Sequence, residues 1–165
     1  MAQSLTLRLA RPDDLGAVDA LLARSYPRLL RPDYPPSIMV TLVPLIARAR
    51  PELLASGRYF VVEDLDGRVV GAGGYSLSGQ ALRQVRHVAT DPAATRQGIG
   101  RRLMAAVFEA ARAEGVQHLD CLSTRTAVPF YASVGFTVLG PVEVPIIPAL
   151  SFPAVRMVCK ISGRK

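Results

Sequence analysis

Between Thr95 and Leu103 the chain reads TRQGIGRRL, with two glycines one residue apart and three arginines at the start of an apparent helix. The first backbone N–H groups of a helix have no intrahelical partner, and the helix dipole makes that end attractive to anions. Gly98 and Gly100 remove side chains that would keep an anion from the backbone, and Arg96 and Arg101 stand where charge-assisted contacts could be added. The stretch therefore suits a docked anion, and equally a glycine-eased connection with solvent-facing arginines. A nucleoside triphosphate loop requires G-x-x-x-x-G-K-[ST], and no such lysine occurs here. The dinucleotide fingerprint G-x-G-x-x-G places its third glycine on Leu103, and Asp91 to Gln97 separate the turn from its strand.

Other reactive side chains are few. His87 has an intrinsic pKa suited to proton transfer, but strand alternation turns it to the face opposite Arg86 and Val88. His118 opens the next strand. Glu63 and Glu143 could receive a cationic amine, and each is equally a solvated carboxylate. Cys121 and Cys159 lie in apolar, strand-like runs. They read as buried free thiols in a reducing compartment rather than as a disulfide framework.

The elements that must hold these groups follow from periodicity. Leu5, Leu7 and Leu9 alternate as a half-buried strand. Pro12, Asp13 and Asp14 start a helix whose apolar face, Leu15, Val18, Leu21 and Leu22, runs to about Tyr26. Prolines then break the chain to Pro36. Ser37 can cap a second helix to about Arg50, interrupted at Pro44, in a region that suits a wall or lid. Tyr59–Glu63 and Arg68–Leu77 make a hairpin about Asp66-Gly67. Leu82–Thr90 is a further strand. Gly98–Glu114 is the best helix, with Ile99, Leu103, Val107 and Ala111 in one stripe. Val116–Ser123 is a strand, Ala127–Val134 a short helix, and Phe136–Leu139 and Val155–Ile161 the last strands. The proline-punctuated GPVEVPIIPALSFP between them reads as a loop. The order β-α-α-β-β-β-α-β-α-β-β predicts an α/β fold, one mixed sheet with helices on its faces, in a single domain over 1–165.

Composition narrows the function. The 165 residues carry 20 Lys+Arg against 13 Asp+Glu, a net charge of +7 that favours anionic partners. The arginines are scattered and not interleaved with aromatics, which disfavours nucleic acid. The N-terminal stretch is no signal peptide, and the longest apolar run, Ile38 to Ala47, is too short to span a bilayer and contains a proline. A cytoplasmic protein without membrane contact is expected.

Two motifs carry a family resemblance. VATDPAATRQGIGRRLM places a strand, an Asp-Pro turn and a glycine-rich helix start in series, and AVPFYASVGF follows at the right separation. Together they resemble the GCN5-related N-acetyltransferase (GNAT) superfamily over nearly the whole chain, most strongly from Val85 to Phe136. The resemblance implies a central mixed sheet of about seven strands and identifies the anion as the pyrophosphate of acetyl-CoA. Backbone groups from Thr95 to Gly100 would hold it, with Thr95, Arg96, Gln97, Gly98, Ile99, Gly100, Arg101 and Phe130 as contacts. Val88, Ala89 and Thr90 would pair with the pantetheine arm where the strand splays from its parallel neighbour, and a backbone N–H near Val88 would polarise the thioester carbonyl. Tyr131 matches the family's general acid; as a structural residue it would be a core aromatic. His87 is the candidate base.

There are departures. Thr95 stands where Arg or Gln is usual, Gln84 replaces a glutamate base found in some members, and Thr126 replaces an Asn before the second motif. The resemblance implies acetyl transfer from acetyl-CoA to a primary amine by direct attack, with no metal. The acceptor is expected to be small, with Phe60, Tyr75 and the helix from Ser37 lining its pocket; Arg86 favours an amine that also bears a carboxylate or phosphate. Two other readings stay open: a non-catalytic acyl-CoA sensor, and an acetyltransferase acting on a protein or a charged tRNA. A homodimer is compatible with the family.

Overall fold

The computed structural model describes residues 4–78 and 82–161, without the side chains of Ser78 and Leu82. Seven strands form one sheet in the order β1-β2-β3-β4-β5-β7-β6. They are β1 (Thr6–Leu9), β2 (Tyr59–Glu63), β3 (Val69–Ser78), β4 (Leu82–Thr90), β5 (His118–Ser123), β6 (Thr137–Ile147) and β7 (Leu150–Lys160). All neighbouring pairs are antiparallel except β4 and β5. The helices are α1 (Leu15–Leu30), α2 (Pro36–Thr41), α3 (Val43–Ile46), α4 (Pro51–Leu54), α5 (Ile99–Ala113) and α6 (Val128–Ser133). The mixed sheet with flanking helices is as expected.

The amphipathic faces build the layers. The α5 stripe, Ile99, Leu103, Val107 and Ala111, is buried against the sheet beside Met104, Tyr75, Leu119 and Met157. Val18, Leu21 and Leu22 of α1 pack with Val61, Ala72 and Ala89.

Three expectations are corrected. First, α1 runs through Pro27 to Leu30. Proline forfeits one helix hydrogen bond, and the extra turn buries Leu30 with Tyr34, Phe152 and Ala154. Second, the helix expected from Ser37 to Arg50 is two short helices, α2 and α3, before α4. Third, the proline-punctuated loop is a long hairpin of β6 and β7. Here β6 is the sheet edge, where a proline lacks only an N–H that no strand would use. Pro153 on β7 lies beyond Val155, the last residue that β5 pairs, so on that side it leaves no ladder bond unmade.

Between β3 and β4 the register shifts: Ala72 faces Ala89, but Gly74 faces Arg86. Gly73 alone therefore opposes His87 and Val88, a β-bulge. His87 adopts φ 49°, in the left-handed region. The neighbouring backbone is drawn close, since a Cβ on Gly74 would collide with the Arg58 carbonyl oxygen. The Tyr59 hydroxyl donates to the His87 carbonyl at 2.8 Å, which occupies the acceptor the bulge turns out of the ladder.

Candidate functional site

The parallel ladder between β4 and β5 pairs only Gln84 with Asp120. Beyond that pair the strands diverge, and a cleft of about 1030 Å³ occupies the gap. Gln84 to Thr90 form one wall, and Cys121 to Thr124 the other. The start of α5, α6, α1, α3 and the β6–β7 hairpin complete it.

One part of the cleft is backbone. Arg96 (φ 65°) and Gly98 (φ 72°) are both left-handed, a curl that turns successive N–H groups into a concavity. A Cβ on Gly98 would meet nothing within 4 Å, so the surface there is open. A Cβ on Gly100 would come within 3.0 Å of the Phe130 ring, so the ring leaves room only for bare backbone. Ile99, 2% exposed, anchors the turn from beneath. Asp91 braces its entry, accepting from the Ala93 N–H at 2.9 Å and from Arg24 Nε at 2.9 Å. Burial works against the Asp91 carboxylate, but these contacts and Arg68 hold its pKa below the ordinary value. These backbone groups fit a diphosphate, and the channel between the strands fits an extended arm.

The other part is side chains. The Tyr131 hydroxyl and the Cys121 thiol lie close enough to influence each other, and burial pushes both pKa values up, the thiol to about 12. Tyr131 therefore keeps its proton at neutral pH, and Cys121 is no thiolate. The Tyr26 and Tyr59 hydroxyls are close enough to interact with it electrostatically. His87 lies in the same wall, its pKa lowered to about 4 by burial and then by the charges of Arg86 and Arg50. It is neutral at pH 7, and a weak base.

Of the residues named from sequence, His87, Val88, Ala89, Thr90, Thr95, Arg96, Gly98, Ile99, Gly100, Arg101, Phe130 and Tyr131 all line this one cleft. Gln97 does not; it is exposed beside it. The alternation behind the opposite face expected for His87 is broken by the bulge, where two residues oppose one, and Arg86, His87 and Val88 all line the cleft. Tyr75 and Phe60 lie in the core instead, with the Tyr75 hydroxyl donating to Glu114 at 2.6 Å. Glu63 pairs with Arg8. Glu143 and His118 are exposed and do not line the cleft. Arg102 turns away to the Leu5 carbonyl at 2.8 Å. Thr126 lines the cleft but donates to Asp33 at 2.7 Å. Sequence reasoning missed Tyr26, Cys121, Arg48 and Arg50 as cleft residues. Among the described residues no cluster of His, Cys, Asp and Glu could hold a metal ion, and no helix is long and apolar enough to cross a membrane.

Comparison with known proteins points the same way. The family described as "Acetyltransferase (GNAT) domain" matches residues 55–138. An amino-acid acetyltransferase of Mycobacterium tuberculosis is 38% identical over 74 residues, 45% of this chain and 41% of that protein. The match thus spans well under half of that relative. Among solved structures, a protein of Rhodopseudomonas palustris described as "GCN5-Related N-acetyltransferase: Aminotransferase, Class-II" superposes with a TM-score of 0.79 at 21% identity, covering 97% of this chain and 98% of the other. The PaiA N-acetyltransferase of Thermoplasma acidophilum, solved in complex with coenzyme A, superposes with a TM-score of 0.72 at 14% identity over 95% and 99% of the two chains.

Proposed function

The chain belongs to the GNAT acetyltransferase family, and on that premise we propose that it transfers acetyl from acetyl-CoA to the primary amine of a small acceptor by direct attack. One observation carries the reading: the cleft between the splayed strands joins a backbone anion cradle at Thr95–Arg101 to a buried proton donor at Tyr131. The Gly98–Gly100 turn holds the diphosphate, with Arg96 and Arg101 adding charge at the rim. Val88 to Thr90 lie along the arm, and a backbone N–H at Val88 meets the thioester carbonyl.

The acceptor nitrogen forms a bond to the acetyl carbonyl carbon as the carbon–sulfur bond breaks. Tyr131 returns a proton to the departing sulfur. Neutral His87, or water at its side, takes the proton that the nitrogen loses.

A sensor that binds acyl-CoA without turnover is favoured by Gln84, which cannot take a proton, and by the low basicity of His87. Calorimetric titration with acetyl-CoA, followed by an amine panel monitored for free thiol, tests both. Micromolar binding with thiol release supports transfer. Binding without release by any amine supports the sensor. No binding by a folded protein overturns both.

A further inference from the structure

Five arginines of the described structure, Arg8, Arg24, Arg58, Arg68 and Arg156, are ion-paired with carboxylates. Arg86 is half-buried in the cleft wall, yet its side chain donates only to the Gln84 carboxamide, at 3.2 Å. Arg50 stands close enough to lower its pKa further, after burial itself. No carboxylate pairs with either arginine among the described residues.

Both arginines also line a second cavity, of about 330 Å³, which adjoins the cleft through them. Ser76 lines that cavity, and its Oγ is buried without a partner. Arg58 is there too, but it is engaged by Glu114 at 2.7 Å. Glu52 lines the same cavity and its charge partly offsets that of Arg50 at Arg86, but it forms no ion pair with either arginine among the described residues. Two unpaired guanidiniums and a free hydroxyl converge on one place, beside the histidine proposed to receive the amine proton. Leaving a guanidinium half-desolvated and unpaired is costly, and an arriving carboxylate removes that cost with paired, charge-assisted bonds.

We infer that the acceptor carries a carboxylate beside its amine, as a free amino acid does, and that Arg50 and Arg86 hold that carboxylate where the cleft meets the side cavity. The inference rests on the acetyl-transfer reading for the acceptor's role, not for the anion site itself. A polyamine would bring positive charge to positive charge. A protein N-terminus offers an amide where the carboxylate must dock. An acceptor anion on these arginines also screens the two charges that depress His87, so the base gains strength when the right acceptor is bound.

The test uses the twenty protein amino acids, each beside its carboxamide, as acceptors for wild type and for Arg86→Gln, Arg50→Gln and Arg86→Lys. The carboxamide differs by one charge and has the less basic amine, so free-amine supply alone would favour it. The expected result is that wild type prefers at least one acid over its carboxamide by roughly 30-fold or more in kcat/KM. In Arg86→Gln and Arg50→Gln that preference collapses towards one, chiefly through KM, while acetyl-CoA affinity by calorimetry is unchanged. Arg86→Lys, with the charge but not the fork, falls between. Equal use of acids and carboxamides by wild type, or equal loss on both in the variants, overturns the inference. Turnover of other amines but of no amino acid also overturns it; if acetyl-CoA binds and no amine of either panel is turned over, the transfer reading fails on its own. Calorimetry with amino acids on the CoA complex then decides the anion site: binding lost in Arg86→Gln upholds it, and no binding by wild type overturns it.

Discussion

The two parts of the cleft are built from different materials. At the Thr95–Arg101 turn the working surface is main chain, its curl set by two left-handed residues and its arginines exposed. Around Tyr131, Cys121 and His87 it is side chains, set in a buried environment, with the Tyr59 hydroxyl holding the His87 carbonyl from behind. A backbone site depends on shape and tolerates exchange of its charged side chains. A side-chain site depends on individual atoms and on the dryness that sets their pKa values. Each variant below breaks one part and spares the other.

Gly100→Trp carries the largest effect. Its Cβ would sit 3.0 Å from the Phe130 ring, so the indole must occupy the channel. Loss of two charge-assisted hydrogen bonds to the diphosphate weakens acetyl-CoA binding about 100-fold. Calorimetry should read that loss while circular dichroism and melting temperature stay near wild type. Unchanged affinity would mean that the turn is only a connection.

Tyr131→Phe comes next and acts on the other part. Removing a positioned proton donor lowers kcat by about 100-fold, while acetyl-CoA affinity changes little because the anion cradle is intact. Single-turnover thiol release, measured with the acceptor found in the panel, separates the two quantities. A drop in affinity with unchanged kcat would assign Tyr131 to packing, where its contacts with Phe130 and Phe136 already place its ring.

The same contrast decides what could be read from sequence. The anion turn is local: a strand end, Asp-Pro, two glycines and a helix stripe lie within one short segment, so its chemistry follows from spacing. The transfer region draws Tyr26 from α1, His87 from a bulge, Cys121 from β5 and Arg50 from just before α4. No spacing joins them. His87 could not be placed because alternation holds only where register is regular, and the bulge depends on the glycines of β3, a strand away. The hairpin of β6 and β7 was hidden by its prolines, although Val142, Val144 and Ile146 alternate with exposed residues in a strand period. What hid it was position at a sheet edge, which no local pattern states.

His87 links this region to stability. Its folded pKa of about 4 lies below the ordinary value of 6.5, so the unfolded chain takes the proton first as pH falls. The stabilisation is complete above pH 6.5 and is lost as pH falls towards 4. Allowing for partial solvent screening, the change is about 2 kcal/mol. Urea denaturation of wild type and His87→Gln at pH 7, 5.5 and 4.5 should show the wild type's advantage shrinking by that amount. A constant difference across the three would mean that His87 titrates normally and faces water.

Arg96→Gly gives the smallest effect and the finest test of the contrast. Arg96 is a non-glycine residue at φ 65°, where a Cβ is disfavoured by about 1 kcal/mol. Glycine relieves that strain in the folded chain, but it also frees the unfolded chain by a similar amount, so melting temperature should barely move. The side chain's contribution to binding is then read almost alone. An exposed guanidinium on a diphosphate contributes little in water, so acetyl-CoA affinity should fall about threefold at low salt and less at high salt. A loss approaching that of Gly100→Trp would reverse the reading of the turn: charge, not bare backbone, would be holding the diphosphate. A loss that persists undiminished in high salt would point instead to the curl itself, with Arg96 needed to keep the N–H groups turned inward.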